Sequence, residues 1–177
     1  MQEVEYVEGA IKTFNTQGNV NDLNHLILGV VSEVGEVIDL FKKHIGYKQE
    51  KNDEWLKQLK LELGDCIWYT TILQSYIGKS ISILVDGQPP MRFEEMKVSA
   101  SLMRNSSKLL EYNHSSIEFI SSIQQIVVML NFVAIEHEIE MEDVLIANLI
   151  KLQKRHGNKF NALTNLESGR NREDEEV

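Results

Sequence analysis

Hydrophobic residues recur every three or four positions along most of this chain, which is the spacing of one face of a helix. The first such segment predicts a short helix over about residues 3 to 14, with apolar positions at Val4, Val7, Ala10, Ile11 and Phe14. A longer helix follows, which Asn21 or Asp22 can cap. Its wide apolar stripe runs from Leu23 to Phe41 and ends before Lys42 and Lys43, two cations that suit a helix C-terminus. We expect this second helix to be largely buried.

Four further helices complete the predicted fold. The third begins at a cap formed by Asn52 or Asp53, after the polar and turn-rich segment HIGYKQEKND, and ends near Gly78. The remaining predicted features are a fourth helix over residues 93 to 112, a fifth helix opened by a capping box at Ser115 to Glu118, and a sixth helix over about residues 141 to 154. We therefore predict an all-α bundle of about six helices.

Pro89 and Pro90 mark the one strong break in this pattern, because two adjacent prolines cannot lie within a helix. We expect the segment VDGQPPMRF to link two helical halves, about 1–78 and 93–160, within a single domain that spans residues 1–165. Residues 166–177 are charged and nearly lack apolar side chains, so we expect a disordered tail. The second half could be a degenerate copy of the first helix pair, although two buried helices also resemble each other by composition alone.

The net charge of −9 excludes some partners. No basic stripe could follow a nucleic-acid backbone, so we expect no nucleic-acid polymer as a partner. The N-terminus lacks the basic and apolar regions of a signal peptide, and no uncharged run reaches the ~18 residues of a membrane span. The single cysteine, Cys66, cannot form a disulfide within the chain, which favours a reducing compartment. We expect a cytoplasmic protein without a membrane partner.

Two acidic pairs interrupt the most apolar runs of the chain: Glu33 with Glu36 in the second helix, and Glu62 with Asp65 in the third. The 27 acidic residues would give roughly four such i,i+3 pairs by chance, so the spacing alone proves nothing. The apolar surroundings matter more, because burying converging carboxylates is unfavourable unless a cation neutralises them. Oxygen ligands favour Mg²⁺, with Mn²⁺ also possible, and Mg²⁺ binds best when substrate phosphates complete its shell.

Gly35 and Gly64 each precede the second acid of a pair, although glycine within a helix is unfavourable by about 1 kcal/mol relative to alanine. Close approach of the two helices is the simplest reason, and it would bring both acidic pairs to one metal centre. Tight packing, with the acids at the edge of the core and no metal, is the alternative.

These residues resemble the ExxE…ExxD pattern of the MazG-type all-α nucleoside triphosphate pyrophosphohydrolases. The segments LGVVSEVGEVIDLFKKH and ELGDCIWY carry the pattern, with 25 residues between Glu36 and Glu62. The segment VLIANLIKLQKRHGNKF is similar to that family's closing Asn-x-x-Lys-Leu-x-x-Arg helix. The resemblance covers about residues 5–78 and 139–160. Some 60 residues intervene, whereas short members pass almost directly to the closing helix.

The resemblance implies an enzyme that uses Mg²⁺ to cleave nucleoside triphosphates between the α and β phosphates, in nucleotide-pool sanitation. We expect it to assemble as a homodimer, although the additional helices could replace contacts that a partner subunit otherwise supplies. Glu33, Glu36, Glu62 and Asp65 would form the metal and catalytic centre, with Glu33 or Glu36 as general base. Lys42, Lys151 and Arg155 would neutralise phosphate charge, and Asn148 would contact the sugar or phosphate.

Each of these roles has a plainer alternative. Lys42 can simply complement a helix C-terminus, and Lys151 and Arg155 can be ordinary solvated residues. His25 and Trp68 could flank the base, but a structural histidine and a core tryptophan are the plainer interpretations. For the whole chain, the alternative is a non-enzymatic helical interaction module with a structural metal site.

Overall fold

Six α-helices make up most of the part of the chain that the structure describes. The computed structural model describes residues 3–14, 16, 18, 20–80, 82–85, 92–111 and 113–156. The helices are α1 Glu3–Thr13, α2 Val20–Tyr47, α3 Asp53–Tyr76, α4 Glu95–Glu111, α5 Ile117–Glu136 and α6 Met141–His156. No strand occurs within these described ranges. The predicted all-α fold is confirmed.

Two helical hairpins form the core of the bundle. α2 packs along α3, α4 packs along α5, and the hairpins meet where α2 contacts α4 and α3 contacts α5. α1 and α6 pack against each other and against α3. The third helix is therefore central, which explains why its side chains at Leu59, Leu63, Ile67 and Leu73 are completely buried.

The ends of α2 differ from the prediction. The helix begins at Val20, so Asn21 and Asp22 lie inside its first turn and do not cap it. The Asp22 carboxylate instead accepts hydrogen bonds from the backbone N–H of Gly18 and the hydroxyl of Thr16, each at 2.7 Å. These hydrogen bonds hold the segment that precedes α2 against the first turn of the helix.

α2 also continues four residues past Lys43, through a segment that we expected to be a turn. Lys48 then adopts a left-handed conformation with φ 56°, and the Gln49 N–H donates back to the Lys43 carbonyl at 3.3 Å. Glycine usually occupies such a position, because other residues are strained there. The end of α2 therefore could not be predicted from the sequence.

The caps of α3 and α5 are asparagine and serine. Asn52 caps α3 by accepting from the Trp55 N–H, and the helix ends just before Gly78, as predicted. Ser116, rather than Ser115, caps α5 by accepting from the Phe119 N–H at 3.2 Å. The predicted capping box is therefore wrong by one residue.

The buried face of α1 is rotated from the predicted one. Tyr6, Ala10 and Thr13 are buried, whereas Val4 is 65% and Ile11 42% exposed. The rotation has a chemical reason, because Tyr6 and Thr13 find hydrogen-bond partners inside the bundle. Counting apolar residues alone could not anticipate this.

α5 is long and apolar enough to cross a membrane by length and composition, but 61% of its apolar window is buried inside the protein. That burial is typical of a core helix. Val85 and Arg92 of the expected linker lie between helices, as predicted. Phe93, which we also expected to open the fourth helix, lies two residues before α4 begins at Glu95. The rest of that linker and the expected tail lie outside the described residues.

Candidate metal centre

Three carboxylates converge where α2 crosses α3. One ligand atom each from Glu33, Glu62 and Asp65 lies within 4.8 Å of the other two. Glu33 is only 6% exposed, and the other two are half-buried. A magnesium ion with ligands at about 2.1 Å requires oxygens no more than about 4.2 Å apart, so small side-chain rotations would complete such a site. The donor set fits a hard divalent cation.

Glu36, the fourth predicted ligand, is not part of this group of three. It lies one turn beyond Glu33 on α2 and is half-buried. The structure therefore brings together three of the four carboxylates and leaves Glu36 beside them on the same helix.

Gly29 lets α2 approach α3, a role that the sequence pattern did not indicate. A Cβ at Gly29 would lie 2.1 Å from Cε1 of Tyr69, far inside contact distance. A Cβ at Gly35 would meet no atom within 4 Å, so the proposed packing role of Gly35 is wrong. Gly29 lies one turn before Glu33, and Tyr69 one turn after Asp65, so their contact sets the approach of the helices next to the carboxylates.

Gly64 does serve a close approach, but to a different helix. A Cβ there would lie 2.9 Å from the Cβ of Asn148 on α6. The glycine thereby lets α6, rather than α2, come close to α3. This approach brings Asn148 and Lys151 to Asp65.

Asp65 is held by two side chains of α6. The Lys151 ammonium donates to Oδ2 at 2.6 Å and to Oδ1 at 2.7 Å, and Asn148 Nδ2 donates to Oδ1 at 2.9 Å. Lys151 is only 1% exposed. The protein thus places its own cation against the acidic cluster and neutralises part of its charge.

Cys66 is buried next to the cluster. Burial raises the pKa of its thiol well above the ordinary value, and the charges of Glu33, Asp65 and Glu62 raise it further. Cys66 is not part of the group of three, so the donor atoms of the cluster are carboxylate oxygens. Oxygen donors suit hard divalent cations.

The predicted phosphate-binding residues are distributed unevenly. Lys151 lies at Asp65, and Arg155 lies one turn further along α6, half-buried. Lys42 is exposed and forms an ion pair with Asp39 on its own helix. Nine residues separate Lys42 from Glu33, which is about two and a half turns and places them on opposite faces of α2. The geometry gives no support to a phosphate contact by Lys42.

The two predicted base-binding residues, His25 and Trp68, lie in different surroundings. Trp68 is 3% exposed, and its indole N–H donates to the Thr13 hydroxyl at 2.9 Å, so it belongs to the core. His25 lies at the surface beside two aromatic rings that the sequence analysis did not single out. Its ring stacks on Phe14 with centroids 6.4 Å apart and lies 5.8 Å from Tyr69. Partial burial lowers the pKa of His25, and Asp22 opposes that shift.

Comparisons with protein families, with curated proteins and with solved structures gave no match.

Proposed function

We propose that the chain is a magnesium-dependent nucleoside triphosphate pyrophosphohydrolase. The observation that carries this proposal is the convergence of Glu33, Glu62 and Asp65 from two helices onto one point. These residues belong to the two acidic motifs that resemble those of the MazG-type enzymes. A third motif of that resemblance, on α6, contacts the same point through Asn148 and Lys151.

The cluster is acidic, because three carboxylates converge and the buried Lys151 ammonium forms an ion pair with Asp65. A divalent ion would reduce the repulsion among the carboxylates. Unbalanced charge in a poorly solvated site is unfavourable, so a second ion would need additional anions. The phosphates of a nucleotide are such anions.

A bound Mg²⁺ would polarise the phosphates and lower the pKa of an attacking water. Glu36 is our candidate for the general base, because it lies beside the group of three and outside it. In this role its carboxylate takes a proton from the water as the α–β phosphoanhydride breaks. The products are a nucleoside monophosphate and pyrophosphate.

The aromatic group at His25 is the proposed place for the base. Eight residues separate His25 from Glu33, which is about 12 Å along the helix axis and comparable to the length of a nucleotide. Phe14 and Tyr69 offer further aromatic faces. Arg155 would contact the phosphates. We further propose that the protein is cytoplasmic, forms a homodimer and acts in nucleotide-pool sanitation.

A non-enzymatic helical module is the second candidate, and one observation favours it. The ion pair between Asp65 and Lys151 gives the cluster a structural role that needs no substrate. In that case the carboxylates would serve packing or a structural cation, and no nucleotide would be turned over.

Phosphorus NMR of a panel of NTPs and dNTPs, incubated with the protein with and without Mg²⁺, tests the proposal. We expect a nucleoside monophosphate and pyrophosphate to appear with Mg²⁺, and the reaction to be lost in Glu36→Gln. Release of inorganic phosphate alone would refute the proposed bond cleavage. An absence of products from every nucleotide, with folded and Mg²⁺-loaded protein, would favour the helical module.

A further inference from the structure

Tyr6 on α1 is connected to the carboxylate cluster through one intermediate side chain. The Tyr6 side chain is completely buried, and its hydroxyl donates to Oδ1 of Asn148 at 2.9 Å. Asn148 is 2% exposed, and its Nδ2 donates to Oδ1 of Asp65 at 2.9 Å. The chain of contacts joins three helices that are far apart in sequence.

The phenol holds the amide of Asn148 at its acceptor end. Burial and the nearby Asp65 raise the pKa of Tyr6 well above its ordinary value, so the hydroxyl keeps its proton. An amide has one acceptor and one donor end. The Asp65 carboxylate only accepts hydrogen bonds, so the donor end of the amide faces it and the acceptor end faces the Tyr6 hydroxyl. Without the phenol, that acceptor end loses its buried donor, and the Asn148 side chain is held less firmly against Asp65.

The hydrogen bonds at Asp65 leave little of it available. A carboxylate has about four lone-pair positions. Oδ1 accepts from Asn148 and from Lys151, and Oδ2 accepts from Lys151. Oδ1 is thus fully used, and Oδ2 keeps a single lone pair. Asp65 can therefore offer an ion one oxygen in one orientation.

We propose that Tyr6 is a positioning residue for the metal centre and acts through Asn148 to fix Asp65 as a monodentate ligand through Oδ2. The inference rests on the proposed function only in taking the three carboxylates as a metal site. It adds a residue from the N-terminal helix, which contributes no carboxylate to the cluster.

Titration with Mn²⁺, followed by electron paramagnetic resonance, tests this on the full chain without any nucleotide. The variant is Tyr6→Phe, which removes only the hydroxyl that donates to Asn148 Oδ1. The matched control is Thr13→Val on the same helix, which removes a buried hydroxyl that accepts from the Trp68 indole N–H. A merely structural role for Tyr6 predicts equal effects of the two variants.

We expect Tyr6→Phe to weaken Mn²⁺ binding about 10-fold, the lower end of the range for partners of metal ligands, and Thr13→Val to leave it within about 2-fold. In an Asn148→Ala background, Tyr6→Phe should have no further effect, because its route to Asp65 is already broken. Equal Mn²⁺ affinities of the two single variants, or additive effects with Asn148→Ala, would overturn the inference.

Mn²⁺ binding and nucleotide hydrolysis are measured separately, so the inference about Tyr6 and the proposed enzyme can fail independently. Mn²⁺ binding that depends on Tyr6, with no pyrophosphate released from any nucleotide, would support this inference and refute the proposed enzyme. A wild-type protein that hydrolyses nucleotides but binds no Mn²⁺ in their absence would overturn the inference and leave the enzyme standing.

Discussion

The Lys151 ammonium on α6 lies 2.6 Å from Oδ2 of Asp65 on α3, although 86 positions separate the two residues. This ion pair joins the last described helix to the centre of the bundle. It also places a buried positive charge against three carboxylates that would otherwise repel one another. The contact therefore contributes both to folding and to the electrostatics of the candidate metal centre.

Replacing Lys151 with methionine should destabilise the metal-free protein. Removing one partner of a buried pair typically lowers the free energy of unfolding by about 3–5 kcal/mol, and we expect about 3 kcal/mol because Asp65 keeps some contact with water. Urea denaturation measures the change. Lys154→Met, at an exposed position of the same helix, should have a much smaller effect. Equal losses in both variants would show that the ion pair contributes nothing specific.

Alanine substitutions at two glycines of α2 should have opposite effects. Gly29→Ala forces a Cβ against the ring of Tyr69 and should lower the free energy of unfolding by about 1–3 kcal/mol, as overpacking does. Gly35→Ala meets no atom and should raise it by about 0.5–1 kcal/mol, since alanine favours the helix. Denaturant titrations of the two variants provide the test. A stabilised Gly29→Ala would contradict the close packing of α2 against α3.

His137 should make the protein less stable at acidic pH. Its ring lies among Phe41, Trp55 and Phe93, and its Nδ1 is 2.9 Å from the Val133 carbonyl oxygen. Burial lowers the pKa of His137; the Val133 contact opposes this, Lys51 lowers it further, and Glu136 and Glu95 raise it.

Because the folded-state pKa of His137 is below that of the unfolded chain, the unfolded state binds more protons as the pH falls below about 6.5. The stability contribution is fully present above that pH and is lost below it. We expect His137→Phe to flatten the decline of the unfolding free energy between about pH 7.5 and pH 5. The pKa of His25 is also lowered, so His25 contributes the same decline of the unfolding free energy in the wild type and in His137→Phe. Identical pH profiles of the two proteins would refute this role of His137.

Magnesium should stabilise the wild-type protein against heat. A ligand that binds only the folded state at 100 times its dissociation constant adds about 2.7 kcal/mol. We expect the melting temperature to rise with Mg²⁺ in the wild type and to stay nearly constant in Glu33→Gln. Calorimetric scans with a Mg²⁺ salt or with a K⁺ salt at the same ionic strength would separate specific binding from ionic strength. A similar rise in the variant would place the ion elsewhere.

The helices were predictable because their apolar positions recur with the period of a helix. The predictions failed for two kinds of feature: a local conformation that is unusual for its residue, and a helix face set by partners outside the segment. Lys48 takes a conformation that glycine usually provides, so the end of α2 was missed. The buried face of α1 follows the hydrogen bonds of Tyr6 and Thr13, whose partners lie on α6 and α3.

The acidic residues that meet in the candidate site were predictable, but their arrangement was not. Acidic residues inside apolar runs pointed to Glu33, Glu62 and Asp65. The sequence could not tell that Glu36 stays outside the group, because an i,i+3 pair on a helix does not show which member faces the neighbouring helix. Nor could it show that Gly29 rather than Gly35 provides the close approach, since both lie in the same apolar run.

The most direct test of the central claim is the initial rate of pyrophosphate release as a function of Mg²⁺ concentration, for wild type, Glu62→Gln and Glu54→Gln. Glu62 belongs to the cluster, whereas Glu54 is an exposed acid at the start of the same helix. We predict a Mg²⁺-dependent rate that falls at least about 100-fold in Glu62→Gln and is nearly unchanged in Glu54→Gln. A rate that survives in Glu62→Gln, or that does not depend on Mg²⁺, would contradict the account.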